Sequence, residues 1–291
     1  MWNLRLGAWQ VPRWAWLGWS LIYLLLQTLT PFVRVPIGWV WVGTLISTLA
    51  LMAAMLGLVF ALAQACETRR GLALGLLGGG IVAVGLWLLL PMGLGVRSLH
   101  HLPPVIAVPY QAIHGYLLIL AAIGLGCVLS RLIREKNLLV PVVPFAALVD
   151  AMTVLTPVGF VKRVAEIAPQ VIEHASVAVM TAPSAAPAVE RVVPIVLIGV
   201  GDFVFLALYA ACLYRFGLRT CATAVGLFFV LWAYLVIVML GVMPALPALV
   251  PMAIVVLAVN WREFHLSRQE QLASLLVVGA AAAVLLWLYG R

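Results

Sequence analysis

The chain contains only two aspartates, Asp150 and Asp202, and each lies inside a long apolar stretch. All seven glutamates, by contrast, lie between apolar stretches or at their ends. A carboxylate near the middle of a bilayer costs at least about 2.5–3.5 kcal/mol to insert, so such a residue usually faces a cavity or a partner. Two carboxylates held close together in a low dielectric share a proton, so that one can activate a water while the other donates. The pair predicts acid–base chemistry inside a membrane, with a packing hydrogen bond between helices as the alternative.

Two glycines precede the second aspartate, in the string Gly199-Val200-Gly201-Asp202. Small residues are common where membrane helices pack closely, which is one explanation for them. The other explanation is functional, because a backbone without Cβ atoms can bend, unwind or lie close to a bound chain. The spacing therefore marks Gly199 and Gly201 as candidate residues of a site around Asp202.

Three prolines open a later apolar stretch, within residues 244–251 (PALPALVP). Proline has no backbone N–H and its ring clashes with the preceding turn, so a regular helix buried in lipid cannot begin through this segment. Proline is also favoured in the first turn of a helix, which is the alternative interpretation. Beside two buried carboxylates, the segment is predicted to form a wall of the same site.

The composition places these residues in a membrane protein. Apolar side chains make up 66% of the 291 residues and charged ones 9%, against roughly half and a quarter in soluble domains. Helices of about 20 apolar residues cross a bilayer and satisfy their own backbone hydrogen bonds. The sequence predicts an all-α, polytopic bundle of nine spans. They are residues 14–33, 38–64, 73–95, 111–130, 138–160, 191–214, 217–239, 243–260 and 271–289.

These spans divide the chain into three regions. Residues 1–137 hold four N-terminal spans, residues 138–260 hold both aspartates and the proline segment, and residues 261–291 hold a C-terminal span. Residues 96–110 and 161–190 are predicted loops. A short interfacial helix is expected over 161–175, where apolar residues recur on one face.

Cationic residues near the span ends predict the orientation, because they concentrate on the cytoplasmic side. With a cytoplasmic N-terminus, that side holds eleven Lys and Arg residues and the other side six. The net charge of +8 lies in short connections without a basic face, which argues against nucleic-acid binding. An integral protein of a prokaryotic cytoplasmic membrane is expected, because the chain has few lysines and many Ala, Leu, Val and Arg residues.

Three segments resemble, in order, the motifs of presenilins and signal peptide peptidases, which are intramembrane aspartyl proteases. Residues 149–159 (VDAMTVLTPVG) look like the segment around the first catalytic aspartate, and residues 198–205 (IGVGDFVF) look like the GxGD segment that bears the second. Residues 244–247 (PALP) are similar to the PAL motif. The resemblance covers about residues 138–260, and it suggests a prokaryotic presenilin homologue.

The resemblance implies an aspartic endopeptidase that cleaves in or near transmembrane segments, without a metal or cofactor. Its expected partners are transmembrane proteins or signal peptides and the surrounding membrane lipid, while accessory subunits are left open. The implied residues are the catalytic Asp150 and Asp202 and the supporting Gly199, Gly201, Pro244, Ala245 and Leu246.

Two features depart from the presenilin pattern. Val149 stands before the first aspartate, where the family often has tyrosine, so any role of that phenol is absent. The catalytic spans are the fifth and sixth, and the proline segment opens the eighth, whereas presenilins have them at the sixth, seventh and ninth. With one helix fewer before the site, the orientation resembles that of signal peptide peptidase, and substrates with cytoplasmic N-termini are expected.

Other functions remain open. A proton- or ion-coupled transporter also uses paired acidic residues and broken helices near the midplane. Prepilin peptidases share the GxGD string, but Phe203 rather than lysine follows Asp202, and a cysteine-rich insert is lacking. A catalytically silent scaffold of the same fold is the third alternative.

Metal binding is not predicted. The four cysteines lack CxxC spacing and are interpreted as free thiols. The pair His100-His101 has no partnering ligands, and His114, at the start of the fourth span, is interpreted as an interfacial histidine.

Overall fold

The computed structural model describes residues 14–69, 71–93, 103–155, 174–179, 196–240 and 247–289, together with residues 12 and 167. These residues form nine α-helices and one antiparallel two-stranded sheet. The helices are α1 Ala15–Leu29, α2 Val40–Thr68, α3 Leu72–Gly93, α4 Pro104–Ser130, α5 Leu139–Leu155, α6 Val200–Arg215, α7 Thr220–Met239, α8 Leu249–Asn260 and α9 Arg268–Tyr289. The strands are β1 Ser176–Val179 and β2 Val196–Gly199.

Five helical segments are long and apolar enough to cross a membrane. They are Val40–Thr68, Leu72–Leu89, Pro104–Ser130, Lys136–Val154 and Thr220–Met239. The prediction of an integral, multi-pass helical membrane protein is confirmed at this level. The helices α1, α6, α8 and α9 have 15, 16, 12 and 22 residues, and the full count of nine spans stays a prediction.

Helix α6 lies at the centre of the bundle, and ten of its sixteen side chains are buried. A helix that is apolar and buried all round belongs inside the protein rather than against lipid. It packs against α2 and α4, and it begins directly after β2. The buried part of α6 begins at Phe203, so Asp202 lies in the first turn at the edge of the protein interior.

Helix α4 approaches both of its neighbours closely through glycines. A Cβ atom at Gly124 would overlap the backbone of Leu77 on α3, and one at Gly126 would overlap the carbonyl oxygen of Val204 on α6. Small residues let membrane helices pack at short range. The layer formed by α3, α4 and α6 therefore needs glycine at these two positions.

The remaining helices build the side of the molecule where Asp150 lies. Helix α8 packs against α5 and α7, and α9 packs against α5. Because α8 also touches α6, it bridges the two segments that carry the aspartates. The residues before α8, 241–246, lie outside the described residues.

The sheet is a correction to the sequence analysis, which expected a loop at 176–179 and a span from residue 191. Strands β1 and β2 pair in the register Val177 with Ile198 and Val179 with Val196. These β-branched residues favour the extended backbone of a strand. Helix α6 consequently begins at Val200, nine residues later than expected.

Two further expectations are affected. Helix α4 begins at Pro104 rather than at residue 111, because proline is suited to the first turn of a helix. The interfacial helix expected over 161–175 falls almost entirely outside the described residues.

Polar contacts join helix ends at one face of the bundle. Arg215, at the end of α6, donates to both carboxylate oxygens of Glu67 on α2, at 2.6 and 3.1 Å, and to the carbonyl oxygen of Ser130 on α4 at 2.8 Å. At the opposite face, Gln27 near the end of α1 donates to the carbonyl oxygen of Ala178 in β1 at 2.7 Å. The sheet therefore lies at the face opposite the arginine.

Candidate active site

The two aspartates approach each other from different helices. Asp150 lies in the C-terminal part of α5, and Asp202 is the third residue of α6. Both are half-buried, and they are close enough for their charges to interact. The only two aspartates of the sequence thus meet in space, near the face of the bundle that carries the sheet.

A helix N-terminus is directed at Asp150. The backbone N–H of Leu249, the first residue of α8, donates to Oδ2 of Asp150 at 3.1 Å. The first N–H groups of a helix have no partner within the helix, and they carry its positive dipole end. Asp150 therefore caps α8 from another helix, and the start of α8 favours a negative charge at this site.

The two glycines of the GxGD string occupy different surroundings. Gly199 ends β2 with φ −63° and ψ 141°, which any residue can adopt. A Cβ atom there would lie 3.6 Å from Oδ2 of Asp202. Gly201 is exposed, and a Cβ atom there would meet nothing within 4 Å. Neither unusual dihedral angles nor close contacts therefore require glycine in this string, because a Cβ atom would fit at both positions.

The sheet is fastened to the bundle by two polar side chains. Gln27 bonds to Ala178 as described above, and His114 on α4 donates from Nε2 to the carbonyl oxygen of His174 at 3.0 Å. His114 is 8% exposed. The side chain is buried under the segment that leads into β1, and its interpretation as an interfacial histidine stays a prediction.

The outer edge of β2 is open among the described residues. Val200 N–H donates to the carbonyl oxygen of Ala175, so that opposed pair exchanges ladder hydrogen bonds. In an antiparallel pair, bonded and non-bonded positions alternate. The N–H and C=O groups of Leu197 and Gly199 must therefore point away from β1. Leu197 is also 40% exposed, so its backbone groups are open at this edge among the described residues, while the N–H of Gly199 bonds the Asp202 carboxylate.

Two tyrosines near the aspartates have buried hydroxyl oxygens. Tyr209 on α6 lies within electrostatic range of Asp150, and Tyr234 on α7 lies within range of both carboxylates. The hydroxyl oxygens of both tyrosines are buried without a hydrogen-bond partner in the described part of the chain. Buried hydroxyls normally have a partner. Both hydroxyls are therefore available to a water or another polar group in this part of the protein.

The first residues of the proline segment lie outside the part of the chain that the structure describes. Pro244, Ala245 and Leu246 lie outside the described residues, and their predicted role is untouched. The residues that follow are placed, since Pro247 is buried and its carbonyl oxygen accepts from Val250 N–H at 3.3 Å. The segment therefore leads directly into the helix start that bonds Asp150.

The sequence analysis missed three features of this site. The bond from Leu249 is made by a backbone group, which side-chain motifs do not reveal. Tyr209 lies seven residues after Asp202, a spacing that places both on one helix face and could have been noticed. Tyr234 lies on another helix, whose rotation a single sequence does not give.

Comparison of the chain with models of protein families, with curated proteins and with solved structures finds no match in any of the three.

Proposed function

We propose that this chain is an intramembrane aspartyl protease that hydrolyses peptide bonds in or near transmembrane segments. The observation that carries the proposal is the meeting of Asp150 and Asp202, from two helices, close enough for their charges to interact. The resemblance of residues 149–159, 198–205 and 244–247 to presenilin motifs supports it. A membrane location is supported by five apolar helices of spanning length.

The proposed reaction is the hydrolysis of an amide by a pair of carboxylates. Two like charges at short range cannot both stay ionised, so the pair carries one proton. One aspartate accepts a proton from a water as the water attacks the carbonyl carbon. The other polarises the carbonyl oxygen and later protonates the leaving nitrogen. The start of α8, which bonds Asp150, would favour the ionised form at that position.

The phenols complete this scheme as positioning groups. Tyr234, within electrostatic range of both carboxylates, would hold the water or the substrate carbonyl by its hydroxyl. Tyr209 would do the same on the Asp150 side. An unpartnered buried hydroxyl costs stability in the free protein and gains a partner when the site is filled.

The substrate would bind as an added strand. A helix shields its peptide bonds, so the cleavage site must be extended before it can react. The N–H and C=O groups of Leu197 and the C=O group of Gly199 point to this edge and would pair with such a strand, whereas the Gly199 N–H is already bonded to the Asp202 carboxylate. A chain paired there would pass beside Asp202. Substrates with cytoplasmic N-termini are proposed from the charge distribution.

The deciding experiment is cleavage of a tagged transmembrane substrate by the purified protein in lipid. Wild type, Asp150→Asn and Asp202→Asn are compared, with and without a transition-state mimic of aspartyl proteases. We expect wild type alone to cleave and the mimic to stop it. Glu67→Gln serves as a control, because Glu67 is a partly buried carboxylate at the opposite face.

Persistent cleavage by either folded asparagine variant would overturn the two-aspartate mechanism. Failure of wild type on a panel of substrates would favour ion-coupled transport instead. That alternative is tested in the same vesicles, by proton uptake that depends on both Asp150 and Asp202.

A further inference from the structure

A cavity lies away from the aspartates, between α5, α8 and α9. Its volume is about 720 Å³, and most of the residues that line it are apolar. Val140, Trp261 and Gln271 line it near the helix ends, whereas Pro144, Leu257 and Val278 line it one to two turns further along the same helices. At 1.5 Å per residue, these positions extend about 6 to 10 Å into the bundle. The cavity is therefore an apolar channel that starts at one face and is open along exposed side chains such as Trp261 and Leu275.

Three cationic residues lie around the start of this channel. Arg262 and Arg268 are exposed and lie within three residues of lining positions. Lys136 precedes Asn137, whose amide donates to the carbonyl oxygen of the lining residue His265 at 2.9 Å. Among the described residues, none of these three cations forms an ion pair.

Three acids, Glu135, Glu263 and Glu270, lie near these cations in the sequence, and two of them have partners. Glu263 pairs with Arg219 at 3.1 Å. Glu270 accepts from the backbone N–H of Ser267 at 2.6 Å. The three cations exceed the two acids without an ion pair, Glu135 and Glu270, by one, so they attract an anion at the membrane surface, where phosphate headgroups lie.

We infer that this cavity binds one acyl chain of an anionic phospholipid, with the headgroup held by Lys136, Arg262 and Arg268. The apolar channel matches a chain, and the cationic start matches a phosphate. An acyl chain is equally apolar in the bilayer and in the cavity, so selectivity must come from the headgroup. The inference does not depend on the proposed protease activity, because the lining residues exclude both aspartates.

The test uses Trp261 as a fluorescent probe, since it lines the cavity. The full-length protein is placed in nanodiscs with phosphatidylglycerol or phosphatidylcholine that carry identical brominated chains. The tryptophan fluorescence that the brominated chains quench is measured for this protein and for Trp261→Phe. The difference between the two values is the quenching of Trp261. We expect half-maximal quenching at a several-fold lower mole fraction of phosphatidylglycerol than of phosphatidylcholine.

Two variants identify the parts of the site. Arg262→Gln with Arg268→Gln should remove the preference for phosphatidylglycerol, whereas the control Arg34→Gln with Arg69→Gln should keep it, because those exposed cations lie outside the lining. Ser274→Phe should fill the channel and reduce quenching by both lipids. Circular dichroism and elution volume confirm that each variant is folded.

Three outcomes would overturn the inference. Equal quenching by the two lipids would mean ordinary boundary lipid. Reversal of quenching by millimolar inorganic phosphate would mean that the cations bind an anion while no acyl chain occupies the cavity. Cross-linking from Leu275→Cys to a second copy or to a transmembrane peptide, without selective quenching, would mean a protein occupant.

Discussion

At the scale of single residues, Asp150 has two roles that mutation can separate. It is a proposed catalytic carboxylate, and it also accepts the hydrogen bond from Leu249 that caps α8. Asparagine keeps an acceptor oxygen, whereas alanine removes it. The chemistry and the cap therefore depend on different atoms of the same side chain.

We expect Asp150→Asn to abolish cleavage and to unfold at the same temperature as wild type. Asp150→Ala should abolish cleavage and lose about 1 kcal/mol of stability, the usual value of a helix cap. Thermal unfolding in detergent measures the difference. Equal unfolding temperatures for the two variants would show that the Leu249 bond contributes nothing.

The phenol of Tyr234 is expected to act in catalysis and not in folding. Tyr234→Phe should lower kcat roughly 10- to 100-fold. This factor corresponds to the loss of a hydrogen bond to a charged group, which contributes about 1.5–3 kcal/mol. KM and the unfolding temperature should change little. Tyr214→Phe is the matched control, because its hydroxyl is also buried and unpartnered among the described residues but interacts with Cys221 rather than with the aspartates. Equal effects of the two substitutions would remove Tyr234 from the mechanism.

At the scale of elements, β2 contains two neighbouring residues whose backbone N–H groups point to opposite edges of the strand. Leu197 points its N–H to the open edge, whereas the N–H of Ile198 points to β1. Proline at 197 therefore removes a donor from the edge without breaking the ladder, and proline at 198 breaks it.

Leu197→Pro is predicted to fold and to lower kcat/KM for a transmembrane substrate by roughly 5- to 30-fold, the loss of about 1–2 kcal/mol of strand pairing. Ile198→Pro should lose stability as well as activity. Michaelis–Menten kinetics and thermal unfolding distinguish the two. Normal kcat/KM for Leu197→Pro would show that substrates do not use this edge.

The first turn of α9 contains a pH-sensitive cap. Ser267 N–H donates to Glu270, and Glu270 N–H donates to the Ser267 hydroxyl at 3.3 Å. This capping box holds the pKa of the Glu270 carboxyl below its usual range, first because of the Ser267 backbone bond. A lowered folded-state pKa stabilises the turn above the unfolded pKa of about 4.3. That contribution is lost as the pH falls through the lower folded value.

We therefore expect amide exchange in residues 267–272, corrected for intrinsic rates, to rise relative to the rest of α9 between pH 6 and pH 3. Glu270→Gln, which keeps an acceptor but does not titrate in this range, should remove the pH dependence. An unchanged profile in the variant would assign the effect to another group.

At the scale of the whole molecule, the polar contacts agree with a topology in which successive spans cross the membrane in alternating directions. Glu67, Ser130 and Arg215 end helices that the sequence analysis placed on the same side, and the structure brings them together. The sheet, on the other side by the same count, bonds Gln27 at the end of α1. Which side is cytoplasmic rests on the charge count alone.

Cysteine labelling tests the orientation. With a cytoplasmic N-terminus, His174→Cys should react with a membrane-impermeant maleimide in intact cells, and Glu135→Cys should react only after permeabilisation. Both positions are exposed. Reversed labelling would invert the molecule and remove the preference for substrates with cytoplasmic N-termini.

Much of this architecture could be predicted because apolar stretches and charged ends are local signals. The pairing of Asp150 with Asp202 was expected from their rarity, since each is costly alone in a membrane. The strand at Val196–Gly199 was not, because a short apolar run of β-branched residues fits a strand or a buried helix equally well. The contact of α8 with Asp150 depends on tertiary packing that periodicity does not encode.

The two edges of the small sheet are unequal, and this limits how many chains it can accept. Gln27 occupies an outward carbonyl of β1, and α4 lies against that strand. Only β2 can therefore lengthen the sheet. Different substrates would therefore compete for one binding site, the edge of β2. An extended peptide that pairs with β2 but resists hydrolysis would act as a competitive inhibitor, whatever its side chains.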